Sequence, residues 1–97
     1  MESQMQQAII TPLIQKLYNL TFNPAFRGGA AAPEHIRIDE GIVLFPNGLD
    51  IILPNGQVKA IKWELHDEHR VTNVSFVPLV YFNRAHEALE KYLKHTE

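Results

Sequence analysis

Cysteine is absent from this chain of 97 residues. Disulfides, thiolate zinc sites and thiol nucleophiles are therefore excluded together. The absence fits a reducing compartment, and a cytoplasmic location is the expectation. Serine is scarce as well, with only Ser3 and Ser75. Ser75 has no Gly-x-Ser-x-Gly elbow around it and Ser3 lies near the chain start, so no serine nucleophile is expected. Long apolar runs are missing: stretches such as Ile42–Phe45 fall far short of the roughly 20 residues a bilayer span needs. The start Met1-Glu2-Ser3-Gln4 has neither the positive charge nor the apolar run of a secretory signal, and no membrane association is expected. Charge of one sign is also lacking. Nine basic and eleven acidic residues leave a net charge of −2. The one local excess, in residues 31–57, is acidic, with Glu34, Asp39, Glu40 and Asp50 against Arg37. Nothing resembles a basic face, which argues against a nucleic-acid partner.

What is present suits one packed domain over residues 1–97. Hydrophobic residues make up 45% of the chain, ordinary for a globular fold. Residues 3–22 read as a helix in which Met5, Ile9, Leu13, Leu17 and Leu20 share a face. Pro12 interrupts it, so either a kinked helix or a fresh start capped by Thr11 is expected. Residues 23–34 carry two prolines and a Gly-Gly pair and read as a flexible loop, with Phe26 pinning its middle to the core. A strand series follows. Ile36 and Ile38 alternate with polar neighbours, Asp39-Glu40-Gly41 turns or bulges, and Ile42–Phe45 and Leu49–Leu53 are strands between Pro-Asn-Gly turns. Val58–Leu65 is a further strand, bulged between Ala60 and Ile61, with Ile61, Trp63 and Leu65 facing the core. After a polar connection at His66–Arg70, the last strand runs from Val71 to about Val80. Residues 82–95 close the chain as an amphipathic helix capped by Asn83. The expected class is α+β: an N-terminal helix, an antiparallel meander of four or five short strands, and a C-terminal helix.

Two strands are apolar on both faces: Ile42-Val43-Leu44-Phe45 and Ile51-Ile52-Leu53. A sheet covered on one side should alternate instead. This pattern points to a protein partner or to self-association as a homodimer, through the second sheet face or an edge strand. Val43, Phe45 and Ile52 are the candidate interface residues, joined by Phe26 and Arg27 of the loop. The function expected is a non-enzymatic interaction module, such as an adaptor, an assembly factor or an inhibitor.

The alternative is a small-ligand or divalent-metal-binding protein, possibly an enzyme. It would use the His66-Asp67-Glu68-His69 segment, with help from His35 or His86, or a pocket between the long loop and the sheet. The spacing is not that of the helical His-Glu-x-x-His zinc motif. Arg27-Gly28-Gly29 lacks the strand–loop–helix context of a phosphate loop. The carboxylates Glu34, Asp39, Glu40 and Asp50 read as solvated turn residues rather than an acid–base pair. Trp63 beside Lys59 and Lys62 reads as a core residue rather than a base-stacking platform. No catalytic residue and no cofactor are expected.

Overall fold

The structure, a computed structural model, describes the backbone of residues 2–96 and the side chains of residues 5–96; the start Met1-Glu2-Ser3-Gln4, with the Ser3 hydroxyl, lies outside the described side chains. It is an α+β fold. The elements are α1 (Glu2–Thr21), α2 (Pro24–Arg27), β1 (Ile36–Asp39), β2 (Ile42–Phe45), β3 (Gly48–Ile52), β4 (Val58–Lys62), β5 (Glu64–His66), β6 (Arg70–Thr72) and α3 (Leu79–Thr96). Strands β1 to β4 form an antiparallel meander in sequence order, and β5 and β6 form a separate two-stranded sheet. Among the described residues no helix is long and apolar enough to cross a membrane.

Helix α1 runs unbroken through Pro12. Its buried side is not the stripe expected from the sequence. Ile10, Ile14, Leu17 and Tyr18 enter the core together with Gln6 and Thr21, whereas Met5, Ile9 and Leu20 are exposed at 60%, 44% and 49%. Each residue turns an α-helix by about 100°, so the choice was off by one residue position. The two stripes share only Leu17 and lie side by side, making α1 apolar over far more than the usual 100° or so.

The expected loop is partly helical. Asn23 accepts a hydrogen bond from the Ala25 N–H at 3.1 Å and caps the single turn of α2, which Gly28 ends in a left-handed conformation. Phe26 does not pin the loop to the core; it is 66% exposed. Arg27 does the fastening, donating to the carbonyls of Thr21 (3.1 Å), Ala31 (2.7 Å) and Ala30 (3.4 Å).

In the meander, Ile42, Leu44, Leu49, Ile51 and Ile61 turn to one face and join the residues of α1 and α3 in a single core. Both long helices therefore cover the same side of the sheet. The β1–β2 connection turns on Gly41 at φ +72°, where an added Cβ would stand 2.9 Å from the Ile52 carbonyl oxygen. At Gly56, with φ +88°, nothing lies within 4 Å of an added Cβ. Gly56→Ala should thus cost only the backbone term of about 1–2 kcal/mol. Gly41→Ala should cost visibly more, because the contact there is with backbone that closes the β1–β2–β3 corner. Equal urea midpoints for the two variants would show that the corner yields freely.

The expected strand Val58–Leu65 is two strands, and no bulge separates Ala60 from Ile61, since the β3–β4 register is regular from Ile52↔Val58 to Gly48↔Lys62. β3 simply runs out at Gly48. Beyond it Trp63 bonds the turn, its backbone N–H to Asn47 at 3.2 Å and its indole N–H to Pro46 at 2.9 Å. β5 then takes β6 as a new partner. The inward set is as expected: Ile61 and Trp63 are buried and Leu65 is half-buried.

The last strand ends at Thr72 rather than near Val80. Asn73 takes a positive φ of 55° and breaks the ladder. Residues 74–77 are held by Ser75 against Lys62 and by the side-chain amides of Gln6 and Gln7, which donate to the Val77 and Val74 carbonyls. The Pro78 carbonyl starts α3 by accepting from Tyr81 (3.0 Å) and Phe82 (3.1 Å). Asn83 therefore lies inside the helix and does not cap it.

Candidate functional site

Two places in the fold carry features beyond those that packing requires. The first is a cleft between the end of α1, the 22–32 segment and the tip of the β5–β6 hairpin. Three amide side chains at spacing four run beside it, and the last of them, Asn23, lines it. Gln15 accepts from the Val71 N–H (2.7 Å) and donates to the His69 carbonyl (3.0 Å) and to Asn19 Oδ1 (3.1 Å). Asn19 Oδ1 also accepts from Asn23 Nδ2 (2.9 Å), and Asn23 caps α2. Spacing of four puts all three on one line along α1 and its extension. The ladder thereby ties the hairpin to the loop through the helix. Sequence reading passed over it, although the i, i+4, i+8 amides are visible in the chain.

Beside this ladder lies a cavity of about 370 Å³, lined by Tyr18, Phe22, Asn23, Pro24, Ala25, Ala32, Pro46, Glu68 and His69. The Tyr18 hydroxyl donates to the Glu68 carbonyl at 2.9 Å. Burial, and then the negative charge of Glu68, raise the Tyr18 phenol above its ordinary 10.0. Asp67 and Glu68 both take positive φ, 52° and 69°, and the His69 N–H returns to the His66 carbonyl at 3.2 Å. Positive φ at both central residues is the pattern of a type I′ turn.

The second place is an apolar surface where α1 meets the start of α3. Met5, Gln6, Ile9, Leu79 and Phe82 line a hollow of about 360 Å³. Phe76 and Val80 flank Leu79 along the chain, at 56% and 61% exposure. No side chain of this group carries a charge.

The residues singled out from sequence fall elsewhere. Val43, Phe45 and Ile52 point to the sheet face away from the helices. Val43 is buried there outside the main core, and Phe45 and Ile52 are half-buried. Arg37 and Asp50, the register partners of Val43, flank it on that face. Phe26 and Arg27 sit on α2, remote in sequence from these three. The histidines disperse: His66 lies 3.3 Å from Asp67, His35 lies tilted beside Phe45, His86 stacks on Phe82 and pairs with Glu90 at 3.2 Å, and His69 lines the cleft. Among the described residues no three His, Asp or Glu side chains gather as a metal site. Asp39 accepts from the Glu40 N–H, Ser75 Oγ accepts from the Lys62 N–H, and Trp63 is buried and offers no stacking face. No protein-family model matches the chain, and comparisons with curated proteins and with solved structures give no match either.

Proposed function

We propose that the protein is an interaction module whose first partner is a second copy of itself, joined through the α1–α3 apolar surface. The observation that carries this reading is the clustering of exposed apolar side chains. Of the eight large hydrophobic residues exposed among those described, Met5, Ile9 and Leu79 line this hollow, and Phe76 and Val80 lie within three residues of Leu79 along the chain. At exposures of 44–61% they present on the order of 500 Å² per copy, in the range where a contiguous patch marks an interaction site. Two such patches face to face bury on the order of 1,000 Å², about the minimum for a specific interface.

A uniformly apolar patch favours a like partner. Transient hetero-interfaces are about as polar as the rest of a surface, whereas homodimer interfaces are richer in apolar area. Among the described residues the patch carries no charge, and such a patch meets its own copy without repulsion, as a two-fold contact requires. The outer sheet face is the weaker candidate on the same criterion. Its apolar residues are interleaved with Arg37, Asp50 and Lys62, and Val58 is the one large hydrophobic residue on it that is strongly exposed.

Sedimentation velocity at rising concentration tests this. A dimer of twice 11.1 kDa is expected, with a Kd on the order of micromolar. Leu79→Glu is expected to give a monomer. The carboxylate would stand at the first residue of α3, where the helix dipole favours it, so the fold is retained. Val58→Glu is expected to leave the dimer intact. A wild type that stays monomeric at about 1 mM, a Kd limit beyond any specific dimer of this size, sinks the proposal. So does a dimer broken by Val58→Glu and not by Leu79→Glu.

A further inference from the structure

We infer that the cleft at the hairpin tip is a binding site for a small organic cation, an amine carried on a flat apolar body. This is independent of self-association, since the cleft shares no residue with the α1–α3 surface.

The lining sets the ligand chemistry. Tyr18 and Phe22 form an aromatic wall, with ring centroids 6.0 Å apart and tilted by 36°. Pro24, Ala25, Ala32 and Pro46 add apolar surface around it. Both rings are almost fully buried, so they contribute to this apolar lining without presenting an open face, and the lining as a whole accepts a flat apolar group. The polar groups left over are two acceptors and the His69 imidazole. The Tyr18 hydroxyl donates its hydrogen bond to the Glu68 backbone carbonyl and keeps a lone pair, and Glu68 itself is exposed. The amide donors nearest the cavity are engaged with one another in the Gln15–Asn19–Asn23 ladder. No lysine or arginine lines the cavity. An anion would find the His69 imidazole but also the opposing Glu68 carboxylate, whereas an ammonium group finds that carboxylate and the Tyr18 lone pair. A volume of about 370 Å³ lies at the small end of ligand sites.

The hairpin tip supports the same reading. Left-handed backbone favours Gly or Asn, and a residue with a longer side chain costs about 1 kcal/mol or more there. Glu68 nonetheless occupies such a position at φ 69°, held by the bond from Tyr18 to its carbonyl. A turn selected for folding alone would carry Asn-Gly. This one places a carboxylate at the cavity mouth at a cost in stability, the kind of local strain that gathers at functional sites. The amide ladder fixes both cavity walls before any ligand arrives, which favours affinity.

Phenethylamine and phenylacetate share ring and chain length and differ in the sign of charge. Each is titrated into the ¹⁵N-labelled protein at neutral pH while the amide signals of Ala25, Ala32, Glu68 and His69 are followed. Phenethylamine is expected to shift these signals saturably, with a Kd on the order of 1 mM for so small a probe. Phenylacetate is expected to bind at least tenfold more weakly. Glu68→Gln keeps the turn and the Tyr18 contact to the backbone while removing the charge, and should weaken the amine about fivefold or more without weakening phenylacetate. Three results overturn the inference: no shifts with either probe at about 20 mM, well above that Kd; equal binding of the two probes; or amine binding unaffected by Glu68→Gln. Leu79→Glu should bind the amine like the wild type, so a failed dimer leaves this test standing.

Discussion

Trp63→Ala is expected to destabilise the protein by about 3–5 kcal/mol, the range for an aromatic residue deleted from a packed core. Trp63 is 5% exposed and belongs to the core cluster. It also stands at the joint where β4 leaves β3 and the chain passes to β5. Its indole N–H bonds the Pro46 carbonyl, so the side chain ties the joint to the β2–β3 turn. Domains of this size have about 5–15 kcal/mol in total, and each 1 kcal/mol moves the melting temperature by roughly 4–8 °C. The variant should therefore melt some 15 °C or more below the wild type, or fail to fold at 37 °C. Trp63→Phe is the companion. It keeps most of the volume and loses the hydrogen bond, a net term of about 1 kcal/mol, because the half-buried Pro46 can pass its carbonyl to water. Trp63 is the only tryptophan, so far-ultraviolet circular dichroism must follow unfolding. If alanine and phenylalanine cost the same, the hydrogen bond holds the joint and the packing does not.

The architecture was legible because it rests on local rules. Alternation in Ile36–Ile38, the two Pro-Asn corners and the 3.6 period of α3 each act within a few residues. What was misread depended on partners. The α1 face is a case: with apolar residues on two adjacent stripes, periodicity alone permits either, and packing against α3 and β6 selects Ile10, Ile14 and Tyr18. The end of β4 is another, since it is set by where β3 stops, not by anything in Lys62-Trp63-Glu64. The last strand reads as apolar through Val80, yet Gln6 and Gln7, some seventy residues away, hold residues 74–77 out of any ladder. The cleft was visible only in pieces. The polar hairpin tip and the loop were both marked, and a pocket between loop and sheet was one expectation. Tyr18 and Phe22 carried no signal, because they are core residues, and only the placing of the 22–32 segment and the hairpin tip sets a cavity against them. The exposed surface at Met5, Ile9 and Leu79 was hidden by the same error that misassigned α1, since the stripe chosen as core is the one left outside.

Pro12→Ala should, by contrast, stabilise the protein. A proline inside a helix removes one N–H and sets its ring against the carbonyl four residues back, a cost of about 3 kcal/mol. Proline also narrows the unfolded ensemble, which returns roughly 0.4–1 kcal/mol to the native protein. The difference leaves a gain of about 2 kcal/mol for alanine, read as a higher urea midpoint with an unchanged slope. Pro12 is exposed and packs into nothing that alanine would leave empty. Its position suggests why such a cost is carried. The turns before it hold Met5 and Ile9 of the apolar surface, and the turns after it hold Ile14, Leu17 and Tyr18 of the core together with the amide ladder. An interior proline is a common cause of helix bending, and a bend at Pro12 would set the direction in which Met5 and Ile9 are presented beside Leu79. Pro12→Ala should then be more stable as a chain and weaker as a dimer, with the midpoint and the dimer Kd rising together. A gain in stability with unchanged association would leave Pro12 as a cost without a role in the contact. No gain at all would mean that the rest of the fold imposes the same bend with alanine in its place.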